Sequence, residues 1–190
     1  MQELKERILA EGQNLGNGIL KIDSILNHQI DTGLIMRCGQ EIAARFKSEG
    51  VNRVLTAEVS GIAPAFAVGL SLGVPVVYAR KVKPVTMYGP VFLETAPSHT
   101  KGMDVNLLIS AEFLPGNERI LVLDDFLASG KTIRSLVRMV RSAKSTVVGI
   151  AAVVEKTFEG GRAMLEHYGV PIFALATITS MDDGKIIFSE

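Results

Sequence analysis

A single cysteine, Cys38, stands in a chain of 190 residues, so no disulfide can close within it and no second thiol can share a metal. Cys38 falls among apolar residues of an expected helix and reads as a buried structural thiol. The three histidines, His28, His99 and His167, are scattered without zinc-ligand spacing and read as structural or surface groups. Charge of one sign is missing too. Twenty Lys and Arg balance 20 Asp and Glu, which argues against a nucleic-acid partner, because such proteins carry a basic imbalance. No apolar run is long enough to cross a bilayer, and no charged opening leads into an apolar stretch, so neither a membrane span nor a secretory signal is expected. A cytoplasmic protein fits these absences. Repeats, low-complexity tracts and linkers are lacking, and the length suits one domain over residues 1–190 with a sizeable core. The dinucleotide-binding fingerprint is absent as well, since Gly12 to Gly18 has neither its spacing nor a preceding strand.

What is present is concentrated between Ile120 and Thr132. Four apolar residues, Ile120 to Leu123, form a buried strand that runs into the acid pair Asp124-Asp125. A turn of small residues comes next, and then the start of a helix. The two carboxylates can accept hydrogen bonds from a vicinal diol. The backbone N–H groups from Ala128 through Ser129, Gly130 and Lys131 to Thr132 converge where a helix dipole favours an anion. Together they describe a receptor for a ribose 5-phosphate. Gly130-Lys131-Thr132 is not a nucleotide-triphosphate loop, because that motif needs a glycine at position 125, where Asp stands. A Walker B reading fails for want of any Walker A partner. The remaining alternative is a plain strand and helix cap with solvated acids, which leaves the coincidence of these features unexplained.

Strands and helices alternate around this segment. A helix opens the chain to about Asn14, with Leu4 and Ile8 on one face, and a Gly-Asn-Gly turn ends it; the stretch Ile19 to Ile30 has no clear period. Asp31 caps a helix to about Ser48, with Leu34, Cys38, Ile42 and Phe46 as its buried stripe and Gly50 just past its end. Then come a strand at Val51 to Thr56, a helix at Ile62 to Leu72 and strands at Val74 to Ala79 and Val105 to Ser110. After the Ile120 strand and its helix there are a strand at Val147 to Val154, a helix around Gly161 to His167 and a strand at Ile172 to Ala176. This alternation predicts an α/β fold with a mainly parallel sheet, whose ligands bind at the carboxyl ends of the strands. Two further features fall at that edge. The turn Glu58-Val59-Ser60-Gly61 can turn N–H groups toward an anion, and Arg80-Lys81 ends a strand with two cations. Residues 84–102, rich in Pro, Gly, Ser and Thr with a strand-like stretch near Val91, make an unusually long connection of the kind that serves as a mobile lid.

The run Ile-Leu-Val-Leu-Asp-Asp-Phe-Leu-Ala-Ser-Gly-Lys-Thr resembles the phosphoribosyl-diphosphate (PRPP) signature of the type I phosphoribosyltransferases. The resemblance implies that family's fold: a mainly parallel sheet flanked by helices, with an amino-terminal hood and a flexible lid loop. It also implies its roles. Asp124 and Asp125 hold the ribose hydroxyls, Ala128, Ser129, Gly130, Lys131 and Thr132 hold the 5-phosphate, and Ser60, Gly61 and Lys81 contact the pyrophosphate. Many adenine-using members carry Arg at the position of Ser60, a departure that loosens that comparison. Mg²⁺ is expected to enter with PRPP rather than on direct protein ligands, and no dedicated catalytic nucleophile is expected, because the transition state has strong oxocarbenium character.

Within the family the chain is most similar to the bacterial branch that takes xanthine. The stretches Met1 to Ile8, Leu20 to Asp31 and Val153-Val154-Glu155-Lys156 carry that likeness. It implies that residues 1–30 include the hood over the base, that Leu20, Asn27 and Lys156 contact the base, and that the protein is a homodimer. Lys156 is donor-only and so suits an oxo group, while Asn27 can both donate and accept. Other readings stay open at this level: an adenine or hypoxanthine/guanine transferase, or a PRPP-sensing purine regulator. For the regulator, the roughly thirty residues before Asp31 are few for a winged-helix module.

Overall fold

The computed structural model describes residues 1–97 and 104–189. Its centre is a six-stranded sheet built from β3 (Arg53–Ala57), β4 (Val76–Ala79), β7 (Arg119–Leu127), β8 (Thr146–Lys156), β9 (Ile172–Ser180) and β10 (Ile187–Phe188), in the order β10-β9-β8-β7-β3-β4. All neighbours pair in parallel except β9 with β10. Two small antiparallel ladders stand apart: β1 (Gln13–Asn14) with β2 (Leu20–Lys21), and β5 (Val91–Pro97) with β6 (Asp104–Ser110).

Side-chain alternation along the strands explains the two layers of core. Val54, Leu121, Leu123, Ala151 and Val153 face one cluster, formed with α1 (Gln2–Glu11), α2 (Thr32–Phe46) and α3 (Ile62–Leu72). Leu55, Ile120, Val122, Ile150 and Ala152 face the other, completed by α4 (Lys131–Ser142) and by Leu165 of α5 (Gly161–Glu166). A sheet covered on both faces needs near-continuous apolar strands, which is what β7 and β8 supply. The caps agree closely with the sequence. Asp31 accepts the Leu34 amide at 3.0 Å to start α2, and Gly50 (φ 60°) stops the chain after a last 3₁₀ turn. Cys38 is wholly buried on α2, and desolvation pushes its thiol up to about 12.

The differences from the sequence reading lie at element ends. The signature strand does not stop at the acids but continues to Leu127, because the long β8 keeps pairing with it through Leu127↔Glu155. The opening helix ends at Glu11, since Gln13 and Asn14 pair with Lys21 and Leu20. Residues Asp23–Asn27, where no period could be read, form one wide π-helical turn that buries Ile25 and Leu26. Of the segment 84–102, residues 84–90 are a turn-rich connection and Val91–Pro97 is β5, at the strand-like stretch expected from sequence; Ser98 through Gly102 lie outside the described residues. The β5–β6 hairpin rests on α4, with Arg138 ion-paired to Glu94 at 3.3 Å, and Arg80 bridges it to the main sheet by two 2.8 Å bonds with Leu108.

Candidate active site

The carboxyl ends of β3, β4, β7 and β8 meet the hood residues 17–20 around a cavity of about 680 Å³. Among its lining are Leu20, Ser60, Gly61, Lys81, Asp124, Asp125, Ala128, Thr132 and Lys156, each expected from sequence. Ser129, Gly130 and Lys131 lie within the same loop but are not on the cavity wall. Asn27 is off the wall too and reaches it through its bonds to Ser60 and Asp125.

The acid pair divides its labour by burial. Asp124 is 8% exposed, and Asp125 is half-buried and turned to the hood. The Asp125 amide donates to Asp124 Oδ1 at 3.0 Å. Burial, reinforced by the charge of Asp125, holds the Asp124 carboxyl well above the usual carboxylate range, and Lys81 only partly opposes this. Gly61 is required beside it: a Cβ there would stand 2.2 Å from Thr56 Oγ1 and 3.0 Å from Asp124 Oδ1.

The turn from Glu58 to Gly61 is braced by Glu58, which was not singled out as a site residue from sequence. Glu58 accepts the backbone N–H of Lys81 at 2.6 Å and lies 3.0 Å from Arg80 Nε, while its own amide donates to Ala79 O. One carboxylate thus fixes the end of β3 to the end of β4 and sets where Lys81 stands. The peptide between Glu58 and Val59 is cis.

The phosphate loop is shaped by two glycines in contact. Gly130 (φ 75°) caps α4 in a left-handed conformation suited to glycine, and a Cβ on it would meet Gly161 O at 2.9 Å. Gly161 donates its amide to Ala128 O at 2.9 Å, and a Cβ on Gly161 would fall 2.2 Å from that same oxygen. Its neighbour Arg162 forms a fork of 2.7 and 2.6 Å bonds onto the buried Glu155 and a third to Ile172 O, so α5 is anchored to β8 and β9. The anion cradle is therefore pressed into shape from behind.

At the hood, Asn27 Nδ2 donates to Ser60 Oγ at 3.0 Å and Asp125 Oδ2 at 3.3 Å. Lys156 Nζ donates to Gly18 O at 2.6 Å and to Glu159 Oε1 at 3.1 Å, and it lies 5.2 Å from the centre of the Phe126 ring. Glu159 and Phe126 also line the cavity. Neither was singled out from sequence. The available signals were an aromatic inside the signature and an acid three residues after Lys156.

The acid pair at the end of β7, the loop at the start of α4 and Lys81 after β4 stand around one cavity, the arrangement of a sugar-phosphate transferase. The chain belongs to the phosphoribosyltransferase family: the model of the phosphoribosyl transferase domain matches residues 22–168. It is 48% identical to the xanthine phosphoribosyltransferase of Heliobacterium modesticaldum across all of both chains, and 46% identical to that of Deinococcus deserti, covering 100% of this chain and 98% of the other. Among solved structures, the adenine phosphoribosyltransferase of Thermoanaerobacter pseudethanolicus superposes with a TM-score of 0.75 over 92% of this chain and 99% of that one, at 23% identity. The Saccharomyces cerevisiae adenine enzyme does so at 0.74 and 20% identity, with the same coverage. At those identities the likeness is one of fold.

Proposed function

We propose that this chain transfers the phosphoribosyl group of PRPP to xanthine, giving xanthosine 5'-monophosphate and pyrophosphate. The observation that carries the reading is the presence, around one cavity, of the Asp124-Asp125 pair, the 128–132 loop and a lysine at the hood end. Relatives named xanthine phosphoribosyltransferase at 40–48% identity over full length favour the same base.

In this reading Asp124 and Asp125 take the ribose hydroxyls, residues 128–132 cradle the 5-phosphate, and Ser60, Gly61 and Lys81 hold the pyrophosphate. Leu20 packs on the base while Asn27 and Lys156 donate to its oxo groups. A ring nitrogen forms a bond to the anomeric carbon as the carbon–oxygen bond to pyrophosphate breaks. Positive charge gathers on the ribose, and the carboxylate of Asp125 offsets it, so positioning and electrostatics carry the catalysis. Among the described residues no group of three or more His, Cys, Asp or Glu side chains could hold a metal. Mg²⁺ would enter with PRPP and would supply charge neutralisation for the leaving pyrophosphate beside Lys81.

Two features of the molecule beyond the cavity belong to the same proposal. The β5–β6 hairpin, two of whose residues (Val105 and Leu107) line the cavity, serves as the lid that excludes water from the activated ribose. The face bearing Phe66 and Leu70 of α3, both about 60% exposed, with Tyr78 of the edge strand β4, is an apolar surface suited to a second copy of the chain. No described helix is long and apolar enough to cross a membrane.

The test is steady-state turnover of the protein with PRPP and each of xanthine, hypoxanthine, guanine, adenine and uracil. The expected outcome is the highest kcat/KM for xanthine. Preference for adenine would overturn the base, and PRPP binding without turnover of any base would point to a sensor instead.

A further inference from the structure

The charge arrangement at the hood end reaches beyond Lys156 alone. We propose that Glu159 determines base specificity: its carboxylate accepts the ring N–H adjacent to the carbonyl that Lys156 engages. This role rests on the xanthine reading of the same site. The two groups stand 3.1 Å apart, both on the cavity wall, at the spacing of a fork that makes two parallel hydrogen bonds.

The chemistry of each atom supports this pairing. An ammonium has three donors, and Gly18 O and Glu159 Oε1 engage two, so one N–H of Lys156 remains for a ligand. An ionised carboxylate offers about four acceptor sites over two oxygens, so Glu159 can accept from more than one donor at once. The positions are well held. The Lys156 side chain is 11% exposed and Glu159 21%, and Lys156 is fixed to the hood by Gly18 O. Phe126, beneath the ammonium and on the same wall, supplies a flat apolar surface against which a planar base can lie.

A donor beside an acceptor reads a lactam, in which a carbonyl adjoins a ring N–H. Xanthine, hypoxanthine and guanine all present such an edge. Adenine presents the inverse pattern, an exocyclic amine beside a bare ring nitrogen, so both contacts would be wrong: donor against donor and acceptor against acceptor. Rejection of adenine then comes from two mismatched polar groups in a confined site, which discriminates more strongly than shape does. Lys156 without Glu159 would select an oxo group but would not read the neighbouring N–H.

The experiment compares Glu159→Gln with the unaltered protein, measuring kcat/KM for xanthine, hypoxanthine, guanine and adenine and KM for PRPP. The amide keeps the shape but forfeits the ionised acceptor. Expected is a loss of at least about tenfold on all three lactam bases, with adenine unchanged or improved and KM for PRPP within about twofold. An equal loss on every base, or no loss on any, overturns the inference. Methylated bases test it without relying on the variant. Of 1-methylxanthine and 3-methylxanthine, at least one should bind the unaltered protein roughly tenfold more weakly than xanthine does, a penalty set by the missing N–H. Two methylxanthines binding as well as xanthine would overturn it too. If the unaltered protein prefers adenine, the base reading itself has failed. If it prefers xanthine and Glu159→Gln does not shift that preference, only the role of Glu159 has.

Discussion

The side-chain amide of Asn27, on the hood, donates across 3.3 Å to Asp125 Oδ2, on the signature strand, and at 3.0 Å to Ser60 Oγ in the pyrophosphate turn. Residues 17–27 are thus tied to the turn after β3 and to β7 through one amide. On the proposed reading, a ribose hydroxyl that takes Asp125 would release that amide toward the base. Asn27→Ala removes the tie and a contact to the base together. Its bonds are largely neutral, at roughly 1 kcal/mol each, so KM for xanthine should rise about five- to tenfold while the folded state persists. Steady-state kinetics with both substrates varied would show it, and an unchanged KM for xanthine would place Asn27 outside the base site.

Asp124 is expected to work against the stability of the fold. Burial and the adjacent Asp125 raise its carboxyl in the folded protein, so between the ordinary carboxylate pKa and that raised value the folded state binds more protons than the unfolded. Stability therefore falls as pH climbs through this window and is recovered as pH drops toward about 4. Asp124→Asn, which keeps an oxygen for the Asp125 amide, should raise Tm near pH 7.5 by about 2–4 °C, the shift that roughly 1 kcal/mol makes in a chain of this size. The gain should shrink toward pH 4. Calorimetry on Asp124→Asn and on the Asp124→Asn/Asp125→Asn pair should at the same time find PRPP binding weakened well over tenfold, as expected for charge-assisted bonds of roughly 1.5–3 kcal/mol. Undiminished PRPP affinity would remove the acid pair from the site.

Lys156→Ala should affect the base more than PRPP. The substitution removes a donor to the oxo group and also unties Gly18 O from the end of β8. A polar group left buried without its partner costs about 1–3 kcal/mol, so KM for xanthine should climb at least tenfold and the ratio of xanthine to adenine kcat/KM should narrow. If that ratio holds, Lys156 is a brace for the hood and not a reader of the base.

Gly161→Ala tests the loop from behind. The added methyl would meet Ala128 O, Gly130 N and the Leu127 side chain, and the first two are backbone that cannot swing aside. Overpacking of this kind costs about 1–3 kcal/mol, and relief requires the 128–130 turn to move. Binding of PRPP should fall roughly tenfold or more although residue 161 is not on the cavity wall, with base selectivity retained. Normal KM for PRPP would show that the loop tolerates the shift.

How legible the molecule is in its sequence depends on how local each feature is. Asp124, Asp125 and the 128–132 loop lie in one contiguous run whose residue types admit few other meanings, and the α2 cap comes from the neighbouring side chain of Asp31. The ends of β7 and β8 escape a sequence reading because strand length is set by the partner, not by the strand itself. The π-helical turn at Asp23–Asn27 is unreadable because its apolar residues pack on distant elements and keep no helical period. Gly161 carries no local signature, since its importance comes from Ala128 and Gly130, about thirty residues earlier. Glu58 reads only as part of a turn, because its grip on Lys81 exists only once β3 and β4 lie side by side.

The tie between Arg162 and Glu155 has a consequence for how this scaffold can change. Glu155 is buried beneath the phosphate loop, yet it immediately precedes Lys156, so the element that shapes the sugar-phosphate receptor is anchored one residue from the element that reads the base. Residues on the hood and after Lys156 can be exchanged without disturbing that anchor. On the proposed reading, a descendant could change its acceptor by altering 17–26 and 157–159, provided position 27 still supplied the amide that holds Ser60 and Asp125.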